Sequence, residues 1–342
     1  MEKQRYWFQI WLLGALLLIL PAARAQFRFS TYNGGVAITG YTGTSRTVAI
    51  PGTLGGFPVT SIGGNAFASF GNPITTITNL TMPNSVTNIG WYAFQDCQFL
   101  SSLNLSTNLI GIGGHAFEGC SSLPTLALPN SVNSIGINAF SSCMSLTNFI
   151  LPDSVSNIGD YTFYNCTHIT NLTIGTNVSG IGNYAFSGCS RRPRFAIPAS
   201  VSSIGVSPFL ACTNLASITV DPQNPYYSDL NGVLFDEYQT TLVTYPAGIA
   251  GAYSIPDSVT NIAEDAFADC SQLTGITIPN GVTMIGAAAF SACSKLPSLE
   301  IPASVTNIGP GFVNSCTNLS TISVDTNNPA YAVNKNSKIL TS

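Results

Sequence analysis

The stretch from Leu123 to Cys143 reads LPTLALPNSVNSIGINAFSSC, and the same phrase returns along most of the 342-residue chain. Within it Leu126 and Leu128 alternate with Thr125 and Ala127, the period-two pattern of a strand with one buried face. Pro129 ends that strand. Val132 and Ile135 form a second inward pair, and Gly136 is expected to supply the backbone freedom for a corner. Ala139 and Cys143 stand four residues apart, a spacing that suits a single helical turn returning both side chains to the core.

Aligned on cysteine, the units read L-x-x-L-x-I-P-x-S-V-x-x-I-G-x-x-A-F-x-x-C. Cys97, Cys120, Cys143, Cys166, Cys189 and Cys212 follow one another every 23 residues, as do Cys270, Cys293 and Cys316. A fixed period of this length predicts a solenoid, because one unit cannot bury its apolar face alone and must stack on its copies. The expected fold is a right-handed repeat solenoid of about eleven coils, each a strand, a short extended arm and a helical turn. Parallel strands about 4.8 Å apart would make a rod on the order of 50 Å long.

Breaks in the beat divide the chain. Residues 1–25 run from Lys3 and Arg5 through the apolar Trp7–Leu20 to Ala23-Arg24-Ala25, which reads as a secretory signal peptide cleaved after Ala25. Residues 26–51 lack a full repeat and read as an N-terminal cap, with the hairpin-like alternation Val36, Ile38 and Tyr41. Repeats fill 52–220 and 255–324; in the degenerate first unit Phe70 stands where cysteine would. Between them, 221–254 reads as an inserted β-hairpin turning around Asp236 to Thr240. Its opening, Asp221 to Tyr227, is echoed by Asp325 to Tyr331, so 325–342 is expected to be a partial copy of the insertion, or a cap.

Charged residues make up only 8% of the chain, against about 25% on average, leaving a polar but electrostatically quiet surface. Beyond residue 25 there are eight basic and fourteen acidic residues, a net charge of −6. That balance, with no basic stripe, argues against a nucleic-acid partner. The apolar stretch of about 14 residues falls short of the roughly 20 that span a bilayer, so no membrane span is expected after cleavage.

The phrases Ile278 to Phe290 and Leu151 to Gly159 resemble the BspA-type leucine-rich repeats, a family of bacterial and protist surface proteins. Asn231 to Phe235, followed by Thr244-Tyr245-Pro246, is similar to a recurrent element of that family. The resemblance covers Val48 to Val324. It implies an exported, secreted or cell-surface solenoid of the leucine-rich-repeat type; some members adhere to host matrix proteins or to other cells. It implies neither a catalytic residue nor a particular ligand.

The nine cysteines at one slot read as a buried ladder of small apolar side chains, with disulfides between neighbouring coils as the alternative. No C-x-x-C spacing suggests zinc, and no cofactor is expected. His115 and His168 occupy different slots two repeats apart, which does not bring a base to a nucleophile, and both read as solvated loop residues; no enzymatic activity is expected. Asp236, Glu237, Asp257, Glu264, Asp265 and Asp269 gather around the insertion without the D-x-D-x-D-G spacing of a calcium loop. The outward strand slots are small: Ser102 and Asn104, Thr125 and Ala127, Asn148 and Ile150, Asn171 and Thr173. Two clusters stand out as binding candidates. Arg191, Arg192 and Arg194 crowd one strand start, suited to an acidic protein or anionic glycan. Tyr226, Tyr227, Tyr238, Tyr245 and Tyr253 form an aromatic group on the insertion. The function expected is non-enzymatic protein binding or adhesion; the alternative is a structural envelope or matrix protein that self-associates through its last coil.

Overall fold

The computed structural model describes residues 26–68, 76–333 and 340–341. The signal-peptide reading of 1–25 and the slot of Phe70 lie outside those residues. What it describes is a parallel β-solenoid of about 12 turns.

The coil ending at Cys189 shows how the phrase folds. Asn171–Thr173 pairs in parallel with Asn148–Ile150, and Gly180–Ile181 lies between Asn157–Ile158 and Ser203–Ile204. Each pairing joins residues 23 apart, so the sequence period is the register. In the third stretch, the arm, amides alternate between two kinds of acceptor. Tyr184, Phe186 and Gly188 donate forward to the next coil's Val206, Pro208 and Leu210 carbonyls at 2.8–3.0 Å, whereas Ser187 and Cys189 donate back to Tyr184 and Phe186.

The expected helical turn is therefore not formed; among the described residues there is no α-helix. A helix keeps its amides for its own carbonyls, and here every second amide serves the neighbouring coil. The alternation requires left-handed backbone at two positions per arm, as at Tyr92 and Asp96, Tyr161 and Asn165, and Ala288 and Ala292. Ala and Phe of the A-F-x-x-C phrase still face inward. Phe67, Phe94, Phe117, Phe140, Phe163, Phe186 and Phe209 stack in sequence with ring centroids 5.0–6.1 Å apart. Removing each ring from water is worth about 2–3 kcal/mol. Beside them all nine cysteines are free thiols, eight of them buried. Each donates to a carbonyl of the coil before it, as Cys143 Sγ does to Phe117 at 3.2 Å.

Glycine in the I-G phrase serves close approach rather than a corner. None of these glycines has a left-handed backbone. A Cβ on Gly113 would stand 2.6 Å from the Gly90 carbonyl carbon, and one on Gly205 2.6 Å from the Asn183 nitrogen, both in the preceding coil. The exception fits the rule: Ala263 occupies this slot in the first full coil after the insertion, where the preceding coil is shortened.

The longer strands form a ladder that is interrupted at defined places. Thr47–Ala49, Asn79–Thr81 and Ser102–Asn104 pair, as do Asn148–Ile150 with Asn171–Thr173, Arg194–Ile197 with Ser217–Val220, Gly251–Ser254 with Leu273–Thr277, and Ser298–Ile301 with Thr321–Val324. Thr125 adds only an isolated bridge to Asn148. Proline explains three of the four gaps. In unbroken coils the residue starting the strand donates to its counterpart 23 residues earlier, as Ser101 does to Thr78 and Thr170 to Thr147. Pro124, Pro193 and Pro297 hold this slot at the three gaps and have no amide hydrogen to give.

The fourth gap is the insertion, which is more than a hairpin. Tyr227–Leu230, Val233–Asp236 and Thr241–Thr244 form an antiparallel meander, and the third strand pairs onward with Asn261–Ile262. Tyr245 takes the place of the stacked phenylalanine, its ring 5.0 Å from Phe267 and its amide on the Ala266 carbonyl. The segment thus supplies a core layer but no full arm. Its entry is pinned by buried Asn224, whose amide donates to the Pro198 and Val201 carbonyls and whose oxygen accepts from the Tyr226 and Tyr227 amides. Asn328 repeats the arrangement with Pro302, Val305, Ala330 and Tyr331. At the other end, Phe27–Tyr32 and Gly35–Tyr41 form an antiparallel pair, and the second strand pairs in parallel with Phe57–Ile62. The regular strand Thr47–Ala49 already lies within the segment expected to be cap.

Candidate functional site

The arginine cluster lies on the gap that Pro193 opens. Arg192 fills an inward slot that Leu123 and Leu296 hold before the other two gap prolines, and it is 9% exposed. Its Nη1 donates to the Thr170 carbonyl at 3.2 Å and its Nη2 to the Leu172 carbonyl at 2.8 Å. The side chain therefore supplies donors to the strand that Pro193 leaves short. The guanidinium carbon sits 5.1 Å from the Phe195 ring centroid, a cation–π contact. No carboxylate compensates the charge, and burial holds its pKa below the usual arginine value. This corrects the expectation that Arg192 is a ligand-binding head: it is a strut between coils, with Nε left without a partner.

Arg191 and Arg194 are exposed. Arg194 and Pro193 line a hollow of about 560 Å³ whose far wall is Asn148 and Ile150 and whose floor includes Asn171, Thr173 and the edge of Arg192. Ile150 is 67% exposed at its rim. A second hollow of about 470 Å³ shares Leu172 and Thr173 with the first and runs to Asp221 and Pro222, where the insertion begins. The two make one channel along the strand face. Its exposed side chains are small and neutral apart from Arg194 and Asp221 at its two ends.

The five tyrosines do not act together. Tyr245 is buried at 2% exposure, and burial pushes its hydroxyl well above the ordinary tyrosine value. Tyr253 packs on it with centroids 4.7 Å apart and is pushed up to about 12 by the same cause. Tyr227 is half-buried, and its hydroxyl accepts from the Ile204 amide at 2.9 Å, tying the meander to the preceding coil. These three are framework, which corrects their place among binding candidates. Tyr226, at 52% exposure, and Tyr238, at 75%, remain on the surface.

The acids near the insertion also have structural duties. Asp236 accepts from the Thr240 and Thr241 amides and from the Thr240 hydroxyl, closing its turn. Asp265 accepts from Ser207 Oγ, and Asp269 is held by the Ala211 amide. Both contacts staple the arm of the Cys212 coil directly to that of the Cys270 coil, across the arm the insertion lacks. Burial pushes the Asp269 carboxyl up. Among the described residues no group of three or more His, Cys, Asp or Glu could hold a metal ion.

An aromatic row on the arm escaped the sequence reading. Trp91, Tyr92 and His115 lie together on neighbouring coils, and Tyr161 stacks on Tyr184 with centroids 5.1 Å apart. His115 is not a solvated loop residue: its Nδ1 pairs with Glu118 at 2.9 Å and its ring stacks on Tyr92 at 4.6 Å. The signal was available, since these rings occupy one slot, five residues before successive cysteines.

Comparison with known proteins matches the model of the BspA type leucine rich repeat region in six copies, at residues 56–154, 134–251 and 250–337. A leucine rich cell surface protein from Faecalibacterium prausnitzii is similar in structure, with 28% identity and a TM-score of 0.70 over 88% of this chain and 93% of that one. A leucine-rich repeat protein from Eubacterium ventriosum is 25% identical, with a TM-score of 0.57 over 86% of this chain and 68% of that one. The pneumococcal vaccine antigen PcpA, 22% identical, shares the fold with a TM-score of 0.63 over 88% of this chain and 80% of that one. No curated protein matches the chain. With its 23-residue register, its thiol ladder and family matches running through almost every coil, the chain belongs to the BspA-type leucine-rich repeat family.

Proposed function

We propose that this chain is an exported, non-catalytic surface protein that binds partner proteins through its strand face, with the channel at the Pro193 gap taking an acidic segment. The carrying observation is the gap itself. Loss of one amide donor separates two strands and opens the hollow, while Arg194 stands at its wall and Arg191 beside it without carboxylate partners in an otherwise quiet surface. Unpaired arginine at a recess favours carboxylate groups, which it can meet with two parallel hydrogen bonds. The surface location is supported by the family and by its similarity to the cell surface protein of Faecalibacterium prausnitzii. Export rests on the reading of residues 1–25.

The test is a binding screen of the chain against immobilised extracellular proteins, run beside an Arg191→Gln/Arg194→Gln double variant. Arg192 is left intact because its removal would strip the Thr170 and Leu172 carbonyls of their donors. Saturable binding that weakens with salt and is lost in the double variant is expected. Binding that is indifferent to both arginines would refute the site, and an absence of any protein ligand would refute the function.

A further inference from the structure

We propose that the arm carries a second site, a platform centred on Trp91 that binds a neutral glycan. Trp91 is 53% exposed, and its indole lies flat across the next coil at Gly114. A Cβ on Gly114 would stand 2.8 Å from the indole Cζ3, so only glycine there leaves the ring room to lie down. One face is thereby held against backbone and the other faces solvent. Beside it the stacked pair of Tyr92 and His115 continues the flat surface, with His115 6.2 Å from the indole centroid.

Polar groups adjoin the platform in fixed positions. Glu118 Oε2 meets both His115 Nδ1 at 2.9 Å and Gln95 Nε2 at 2.7 Å. Those two contacts hold the carboxylate while its other oxygen carries no hydrogen bond to a neighbouring side chain. An apolar ring that presents an open face next to an oriented carboxylate matches the two surfaces of a sugar: the C–H face stacks on the ring, and the hydroxyls donate to the acid.

Charge selects among glycans. No arginine or lysine occurs on any arm between Gly90 and Cys212 apart from the cluster after Cys189, which belongs to the strand face. Glu118 and Asp96 would repel sulfate or uronate groups. A protein anchor is the poorer match, because interface hot spots sit in well-packed apolar pockets, whereas Trp91 lies flush with the surface beside Gln95 and Glu118. This platform is independent of the arginine channel, so the failure of one does not touch the other.

Trp91 is the only tryptophan beyond residue 25, which makes its fluorescence a direct reporter. The full chain is titrated with cellohexaose, laminarihexaose, mannohexaose and chitohexaose, with heparin as the anionic comparison and Trp91→Phe as the fluorescence blank. At least one neutral sugar should shift the Trp91 emission saturably, and calorimetry should show about tenfold or greater loss of affinity in Trp91→Ala. Gly114→Ala, which lifts the indole, should weaken the same sugar, while Arg191→Gln/Arg194→Gln should leave it unchanged. An unchanged melting temperature in Trp91→Ala separates lost binding from lost folding. The proposal is overturned if no neutral sugar shifts the emission, if binding survives Trp91→Ala, or if only heparin or a protein ligand requires the ring.

Discussion

Arm and strand face belong to the same coils, yet they treat the 23-residue period differently. On the arm, forward hydrogen bonds link Phe67, Phe94, Phe117, Phe140, Phe163 and Phe186 to successive coils without a break. On the strand face, three prolines and the insertion divide the ladder into short sheets. The arm sits over the phenylalanine stack and the thiol ladder, so losing register there would open the core. The longer strands meet water on their outer side, and a missing amide there costs little while it opens a recess. Register is held on one side of the coil, which leaves the other side free to vary.

The largest expected effect comes from the thiols on the arm side. Burial pushes Cys97, Cys143 and Cys212 up to about 12, and Cys120, Cys166 and Cys189 well above the ordinary value of 9.0. Unfolded thiols ionise near that ordinary value while the folded ones stay protonated. The stabilisation is therefore complete below pH 9 and is lost as pH rises from 9 towards 12 and beyond, at about 1.4 kcal/mol per pH unit per thiol. Urea unfolding in reductant at pH 8, 9 and 10 should show this steep fall, and Cys143→Ala should shallow it by one thiol's share. Next, Phe163→Ala should cost about 3–5 kcal/mol, whereas Ile150→Ala on the strand face should stay within about 0.5 kcal/mol; thermal melts distinguish them.

The glycines sharpen the contrast at a smaller scale. Gly113→Ala should destabilise by about 1–3 kcal/mol because its Cβ meets the preceding coil. Ala263→Gly, in the same slot after the shortened coil, should cost no more than about 1 kcal/mol through backbone entropy. Equal costs at the two positions would contradict the close-approach account. Smallest of all, Pro193→Thr should restore an amide donor and change stability by less than about 1 kcal/mol, while weakening any ligand of the channel.

How much of this was legible in the sequence depended on where each residue's partner lies. Strand alternation at Leu126 and Leu128 is local, and the cysteine slot repeats without variation, so coil, register and family could be read directly. Gly136 and the A-F-x-x-C arm were misread because their constraint comes from a neighbour 23 residues away: a backbone that approaches too closely for a Cβ, and carbonyls that take every second amide. Arg192 was misread for the same reason, its partners being carbonyls of the preceding coil exposed by the proline beside it. Tyr245 looked like surface because the insertion broke the phrase, although Thr244-Tyr245 stands where Ala-Phe would. The Trp91 platform was missed because attention fell on the strand face, where repeat proteins of this shape offer their widest surface.

Amide hydrogen exchange read by mass spectrometry tests the central claim most directly, because it compares arm and strand face in one molecule. The account predicts that the arms Tyr92–Cys97 to Tyr184–Cys189 exchange slowly and alike. The strands that follow Pro124, Pro193 and Pro297 should exchange markedly faster than Asn171–Thr173, which has its preceding partner. Uniform protection across those strands, or faster exchange in the arms than on the strand face, would contradict it.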